Sequence, residues 1–393
     1  MALVSRRVKH LPPYLFSKFQ KRKESLQAKG VDVIDLGIGA PDLPTPQFVV
    51  DELIKEVGNS ANHRYSTYHG DAVFREAVAE FYSRQYGVEL DPEKEILALI
   101  GSKEGIAHLL QAVIDPGDRV LVPDPGYPVY RTGVQLAGGK VVDLPLDSKA
   151  GYVPSYDQVS LVDAEHAKLM LLNYPGNPTA ATVNLSTFVE AVAFARRHRL
   201  MIAHDAAYDL VTFGDYTAPS LMQVEGAKDV AVEFGSLSKG FGMTGWRIGY
   251  VVGNPTLISA LTRLKSNIDT CQFLPIQKAA AKALTSDLSE VKAHNAIYEE
   301  RMEVLHQALT QLGLQAEKPK GTIFIWCKVP QSFSSIDFAD YLLETAGVIV
   351  TPGTAFGPSG EGYVRISLSV DKDRLKEVAD RLAQLDFNKG GSN

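Results

Sequence analysis

Lys239 stands in the string Ser236-Leu237-Ser238-Lys239-Gly240-Phe241-Gly242-Met243-Thr244-Gly245-Trp246-Arg247-Ile248-Gly249. An amine in a small, hydroxyl-rich turn, followed by a guanidinium, has the parts needed to hold a phosphorylated aldehyde. The amine condenses with the carbonyl carbon, and the hydroxyls and guanidinium bind the phosphate. Most lysines are only solvated surface groups, so this reading depends on what else the chain carries.

Several other residues offer complementary chemistry. Asp205 closes the apolar run Leu200-Met201-Ile202-Ala203-His204. A carboxylate at a strand end inside a sheet is costly unless paired. A protonated ring nitrogen suits it, and the pair makes the ring a better electron sink; the bland alternative is a helix N-cap. Tyr208, three residues on, either donates to a ring oxygen or packs in the core. Asn177 precedes Pro178, which holds it extended with its amide free for a ligand. Gly101-Ser102-Lys103 opens a helix, and backbone N–H groups there favour a phosphate, although plain capping reads the same way. Tyr127 in Asp124-Pro125-Gly126-Tyr127-Pro128 can stack on a flat ring or simply pack. Arg365 in Tyr363-Val364-Arg365-Ile366-Ser367 is either a fork for a carboxylate or a side chain on a solvated strand face.

These residues need a frame to bring them together. The chain has 393 residues, 45% hydrophobic and 22% charged, which suits a large soluble core in two domains. A net charge of −6 gives no electrostatic reason to bind nucleic acid. The two cysteines, Cys271 and Cys327, are far apart and lack metal-ligand spacing, so no metal site is expected and a reducing cytoplasm fits. No apolar run approaches a membrane span. The first 23 residues are basic and lack acids. The Leu11-Pro12-Pro13-Tyr14 break favours a docked arm over a transit peptide.

Short apolar runs alternate with helical patterns through the middle of the chain. The pattern predicts strands at 95–100, 119–122, 168–173, 200–204, 230–234 and 248–252, and helices near 103–114 and 188–197. This predicts an α/β fold with a mostly parallel central sheet and helices on both faces. Sites in such sheets lie at the carboxyl ends of strands, where the candidate residues fall. After about residue 285 the pattern changes. A helix near 288–312, apolar segments at 322–329, 348–351 and 364–370, and a closing helix near 371–385 predict a smaller α+β domain. The expected division is an arm with part of the small domain at 1–45, a large domain at 46–285 and a small C-terminal domain at 286–393.

The motif Ser236-Leu237-Ser238-Lys239 with Gly245-Trp246-Arg247-Ile248-Gly249, in order with Tyr65, Asn177, Asp205, Tyr208 and Arg365, resembles the class I/II aminotransferases, pyridoxal-phosphate enzymes of fold type I. The resemblance runs from the arm through Ile38-Gly39-Ala40-Pro41-Asp42 to Arg365. It implies pyridoxal 5′-phosphate as cofactor, with Lys239 as the Schiff-base and proton-shuttling group. It implies that Asp205 pairs the ring nitrogen, that Tyr208 and Asn177 hold the ring oxygen, and that Tyr127 stacks on the ring. Ser102, the backbone of Lys103, Ser236, Ser238 and Arg247 surround the phosphate on this reading. Tyr65 reaches the phosphate of a neighbouring subunit, which implies a homodimer with shared sites. Arg365 and Asn177, with Gly39 and Tyr14 nearby, bind the substrate. The family usually has glycine after Asn-Pro-Thr where this chain has Ala180, and alanine there implies a turn without a left-handed residue.

Local strings resemble the LL-diaminopimelate aminotransferase subgroup: Leu11-Pro12-Pro13-Tyr14-Leu15-Phe16, Gly101-Ser102-Lys103-Glu104-Gly105, Asp124–Tyr130 and Lys265-Ser266-Asn267-Ile268-Asp269. That implies amino-acid and 2-oxo-acid substrates, with LL-diaminopimelate and 2-oxoglutarate as one pairing. Tyr14, Glu104, Asn267 and Asp269 would then be partners for the distal end of the donor. An alanine, aspartate or broad-specificity aminotransferase, a carbon–sulfur lyase and a non-catalytic regulator are the alternatives.

Overall fold

A computed structural model describes residues 3–9, 11 and 22–387. Seven strands form the main sheet: β2 (Ile96–Leu99), β3 (Arg119–Asp124), β4 (Lys140–Pro145), β5 (Ala167–Asn173), β6 (Met201–Asp205), β7 (Ala231–Ser236) and β8 (Gly249–Gly253). Their order is β2-β8-β7-β6-β5-β3-β4. Only β8 runs against its neighbours, so the sheet is mostly parallel, as the strand–helix alternation predicts. Its inner strands are nearly continuous apolar runs because helices cover both faces.

This topology positions the chemistry. Asn173 pairs with Asp205 and Asp205 with Phe234, so β5, β6 and β7 end side by side. Gly249 pairs with Leu99 on one side and with Ser236 on the other. Because β8 is reversed, Arg247, just before its first residue, lies at the carboxyl edge of the other strands. Gly101 to Lys103 and Ser236 to Lys239 lie at that same edge.

A second core joins early and late parts of the chain. Strand β1 (Ile34–Asp35) pairs in parallel with β10 (Val348–Ile349). A three-stranded antiparallel sheet holds β11 (Thr351–Pro352), β12 (Tyr363–Ser367) and β9 (Phe324–Lys328). Ile34 and Leu36 pack with Tyr298, Met302, Phe324 and Leu342. Arg22 forms ion pairs with Asp340 and Glu344, and Lys23 meets Asp35 at 2.9 Å, which anchors the base of the arm on this core.

Two local expectations need correction, and one strand, β4, is not among those the sequence predicts: it is an edge strand with a broken apolar pattern and only Leu144 fully buried. The segment 348–351 is two short strands serving different sheets, and the chain crosses over at Val350. Ala180 does adopt the left-handed region, with φ +56°. That conformation costs a non-glycine residue about 1–2 kcal/mol. Against this, its buried methyl contributes about 0.8 kcal/mol and glycine would carry an unfolded-state entropy cost of about 0.5–1 kcal/mol. The opposing contributions nearly cancel. Ala180→Gly is therefore expected to leave the unfolding free energy within about 1 kcal/mol of wild type. A chemical-denaturation midpoint displaced by several kcal/mol would contradict that balance.

Among the described residues, no helix is long and apolar enough to cross a membrane.

Candidate active site

The carboxyl ends of β5, β6 and β7 and the approach to β8 border a cavity of about 360 Å³. Lys239 lies in a short helix, Leu237–Gly240, entered through Ser236, whose Oγ accepts from the Ser238 N–H at 3.2 Å. Its Nζ donates to the Gly39 carbonyl at 3.0 Å and sits 5.4 Å from the centre of the Tyr208 ring. Burial first, and the nearby Arg365 charge second, bring its pKa down to about 8. An amine so perturbed in a cleft is a nucleophile candidate.

Asp205 faces the cavity from the end of β6. A turn follows it, so it caps no helix. Its Oδ2 accepts from the Tyr130 hydroxyl at 2.8 Å, while its Oδ1 is buried without a hydrogen-bond partner. Burial raises its pKa, and the Tyr130 hydrogen bond works in the opposite direction. A buried carboxylate oxygen with no partner is costly, and a cationic N–H placed in the cavity would offset that cost.

Another part of the lining is cationic and rich in hydroxyls. Arg247 takes a left-handed backbone, φ +56°, and its Nη1 donates to the Thr244 carbonyl at 2.9 Å. Gly101 allows the guanidinium to approach, since a Cβ there would come within 2.3 Å of Nη2. Burial and then Arg247 lower the pKa of Lys103. Ser102, Ser236 and Ser238 line the same wall. Two cations, three hydroxyls and a helix start suit a phosphate dianion.

Arg365 is not on a solvated face. It is 2% exposed, and its guanidinium lies 4.2 Å from the Phe324 ring centre and 4.8 Å from that of Phe356. Its Nη1 donates to Asn177 Oδ1 at 2.8 Å and its Nη2 to the Gly37 carbonyl at 2.7 Å. The Asn177 amide is thus already engaged through its oxygen, not free as its place before proline suggests. Gly39 must lack a side chain, because a Cβ would lie 2.5 Å from Phe324. Tyr208 packs edge-on to Phe324, and burial pushes its phenol pKa well up, so it remains a hydrogen-bond donor. Tyr127 lines the cavity and meets Tyr130 edge-to-face at 5.7 Å.

The residues expected to hold the cofactor and the α-carboxylate converge here apart from Tyr65 and Tyr14, and none of the other expected distal partners lines the cavity, Asn267 instead donating to the Arg263 carbonyl at 2.8 Å. Tyr65 is 90% exposed and is not part of the cavity wall. Tyr14 lies outside the described residues. Glu104 and Asp269 are also not at the mouth. Both bind the ammonium of Lys265, and Glu104 also meets His108 at 2.8 Å. The two carboxylates of the Glu104–His108–Asp269 group are thereby tied to one buried ammonium rather than turned toward the cavity. Asn173, at a strand end among the candidate polar positions, and Tyr130 have no role assigned from the sequence, yet both line the cavity. Tyr130 follows Tyr127 by one helical turn, a spacing that places both on one side of the site.

A lysine, a buried carboxylate lacking one partner and a phosphate nest thus share one cavity. They fit a flat, cationic, phosphorylated aldehyde.

Comparison with known proteins agrees with this geometry. The family model described as aminotransferase class I and II matches residues 31–382. An LL-diaminopimelate aminotransferase of Moorella thermoacetica is 47% identical over 381 residues, covering 97% of this chain and 98% of that protein. A substrate-bound structure of BacF from Bacillus subtilis superposes with a TM-score of 0.94 at 37% identity, covering both chains fully. A single mutant of Thermus thermophilus aspartate aminotransferase gives 0.92 at 30% identity, covering 98% of this chain and 100% of that one.

Proposed function

The chain belongs to the class I and II aminotransferases, and from that membership we propose that it works with pyridoxal 5′-phosphate, taking the amino group of LL-diaminopimelate and passing it to 2-oxoglutarate. Membership decides for an enzyme moving amino groups between amino acids and 2-oxo acids, over the lyase and the regulator. The observation that carries the cofactor reading is the unpartnered Oδ1 of Asp205, in the same cavity as Lys239 and the Arg247 wall.

When bound, the cofactor supplies an aldehyde carbon for the amine and a protonated ring that draws electrons from the substrate α-carbon. The chain's residues do the rest. Asp205 Oδ1 would hold the proton on the ring nitrogen, with Tyr130 keeping Oδ2 occupied. Tyr208 and Asn177 would hold the ring oxygen, and Tyr127 would pack on the ring. Ser102, the Lys103 backbone, Ser236, Ser238 and Arg247 would hold the phosphate. Arg365, stacked between two phenyl rings and steadied by Asn177, takes the substrate α-carboxylate beside Gly39. Lys239 Nζ takes the α-proton and returns it on the far side of the transfer. Its lowered pKa leaves more free amine at neutral pH than a surface lysine has.

Arg365→Lys tests the clamp. A lysine keeps a point charge but loses the planar fork. Losing a charged hydrogen bond costs about 1.5–3 kcal/mol, so KM for the amino acid is expected to rise about 10- to 150-fold while cofactor affinity changes little. The reverse pattern in steady-state kinetics and cofactor titration would move Arg365 out of the substrate site.

The relatives named above support LL-diaminopimelate as donor, and the aspartate aminotransferase likeness keeps aspartate as the second reading. Comparing kcat/KM for LL-diaminopimelate, aspartate, alanine and phenylalanine tests it. A site built for a polar distal group rejects apolar analogues strongly. Diaminopimelate performing no better than alanine would overturn the substrate while leaving the aminotransferase chemistry intact.

The working unit on this reading is a cytoplasmic homodimer, divided at about residues 45 and 285 into arm, large domain and small domain. Tyr65 does not line its own cavity, and Tyr65, Tyr68, Ile268 and Phe273 are exposed large side chains on adjoining segments. Such a patch suits a subunit interface. Mixing inactive Lys239→Ala chains with inactive Tyr65→Ala chains is expected to restore part of the activity. Hybrids that form but stay inactive would count against a shared site.

A further inference from the structure

We propose that Asn173 is a positioning residue that sets the separation between the Arg365–Asn177 clamp and the Asp205 carboxylate. It is 8% exposed, and both polar atoms of its amide are used. Its Nδ2 donates to the Asp205 carbonyl at 2.7 Å, and its Oδ1 accepts from the Asn177 N–H at 2.7 Å. Asn177 Oδ1 in turn accepts from Arg365 Nη1 at 2.8 Å. One side chain therefore links the second core, through Arg365 and Asn177, to the end of the central strand β6.

The need for such a link follows from the sheet. Asn173 and Asp205 are register partners and the last residues of their strands. Beyond them the ladder stops, and the two chains diverge into separate turns. No regular backbone pairing fixes the Asn177 turn against Asp205, so a side-chain amide takes that role. Removing it would leave a buried carbonyl and a turn N–H without partners. Groups that share partners couple energetically, whereas distant independent ones add. Asn173 and Arg365 share Asn177, so their effects are coupled on this proposal. A purely structural asparagine would change stability without changing that coupling.

The inference rests on the cofactor and substrate roles proposed above. The test uses the full chain as wild type, Asn173→Ala, Arg365→Lys and the double variant. Pyridoxal phosphate affinity of the cofactor-free protein is read by titration, and kcat/KM by steady-state assay. Asn173→Ala is expected to weaken cofactor binding about 10-fold. The cost of Arg365→Lys in kcat/KM is expected to shrink at least about 5-fold in the Asn173→Ala background. Unchanged cofactor affinity with fully multiplicative costs overturns the proposal. If Asn173→Ala does not fold, Asn173→Asp keeps the shape and the acceptor for the Asn177 N–H but loses the amide donor. It is expected to weaken cofactor binding while leaving the Arg365→Lys cost at its wild-type value, and unaltered cofactor affinity in that variant also overturns the proposal. A wild-type protein that neither binds pyridoxal phosphate nor transaminates would instead refute the functional reading beneath it.

Discussion

Lys239→Ala is expected to lower kcat by ~10⁴-fold or more while the protein stays folded. Loss of general acid–base catalysis alone accounts for about 10²–10⁴-fold, and the covalent attachment disappears with it. The fold should survive, because the Nζ gives up little more than its hydrogen bond to the Gly39 carbonyl, and its burial disfavours its charge. Removing an ammonium that the site disfavours costs little stability. Two measurements check this result. Single-turnover rates give the loss in chemistry. Borohydride treatment of the cofactor-loaded protein should leave a covalent mass increment on the wild-type peptide carrying Lys239 and none in the variant. Near-normal transamination by the variant would remove Lys239 from the mechanism altogether. The pH dependence has a definite sign. The attacking amine is the unprotonated form, so the rate at which cofactor-free protein takes up the aldehyde should rise with pH through about 8.

Asp205→Asn is expected to fold, to bind cofactor and to react slowly, with single-turnover rates down by roughly 10²–10⁴-fold. Breaking a buried charge pair by removing one partner costs about 3–5 kcal/mol, which sets that range. An amide in place of the carboxylate can still accept from Tyr130 but cannot hold a proton on a ring nitrogen. The cofactor-free protein should respond in the opposite direction. The folded-state pKa of Asp205 is raised by burial, so between the unfolded value and the raised one the native state binds more protons than the unfolded state. The Asp205 contribution to stability therefore falls as pH rises through that interval, and it stays unfavourable above it. Asparagine removes this penalty. At pH 7–8 the cofactor-free variant should melt no lower than the cofactor-free wild type, and cofactor should stabilise the variant less than the wild type. A cofactor-free variant that melts well below wild type, together with unchanged single-turnover rates, would make Asp205 a structural residue only.

Lys239 and Asp205 are both legible in the linear chain. The strand ends at Asn173 and Ser236 are marked locally by Pro, Gly or small polar residues, and that at Asp205 by the change from apolar to polar side chains at His204 and Asp205. Local sequence also marks the helix starting at Ser102 and the Asn-Pro turn. These signals depend on backbone propensity and burial of short segments, so neighbouring residues suffice to read them. The edge strand β4 is not legible for the same reason: half exposed and bearing Lys140 and Asp143, it lacks an apolar run.

Which chemical groups are present, their order, and the alternation that puts them at the carboxyl edge of one sheet can all be read along the linear chain. How those groups meet depends on tertiary packing. Arg365 reads as a strand residue with either face open to it, and it becomes a buried clamp because Phe324, Phe356 and Asn177, the last 188 positions away, close around it. Asp205 gains Tyr130 on one oxygen from 75 positions away and keeps the other unpartnered. The pKa of Lys239 near 8 comes from burial and from the charge of Arg365, neither of which is encoded in its own string. Ala180 takes the left-handed conformation against its intrinsic preference because the surrounding turn outweighs a cost of about 1–2 kcal/mol. Propensity is a property of a few adjacent residues. Desolvation, hydrogen-bond partnership and charge proximity depend on atoms brought together by long-range packing, so they exist only once the chain has folded.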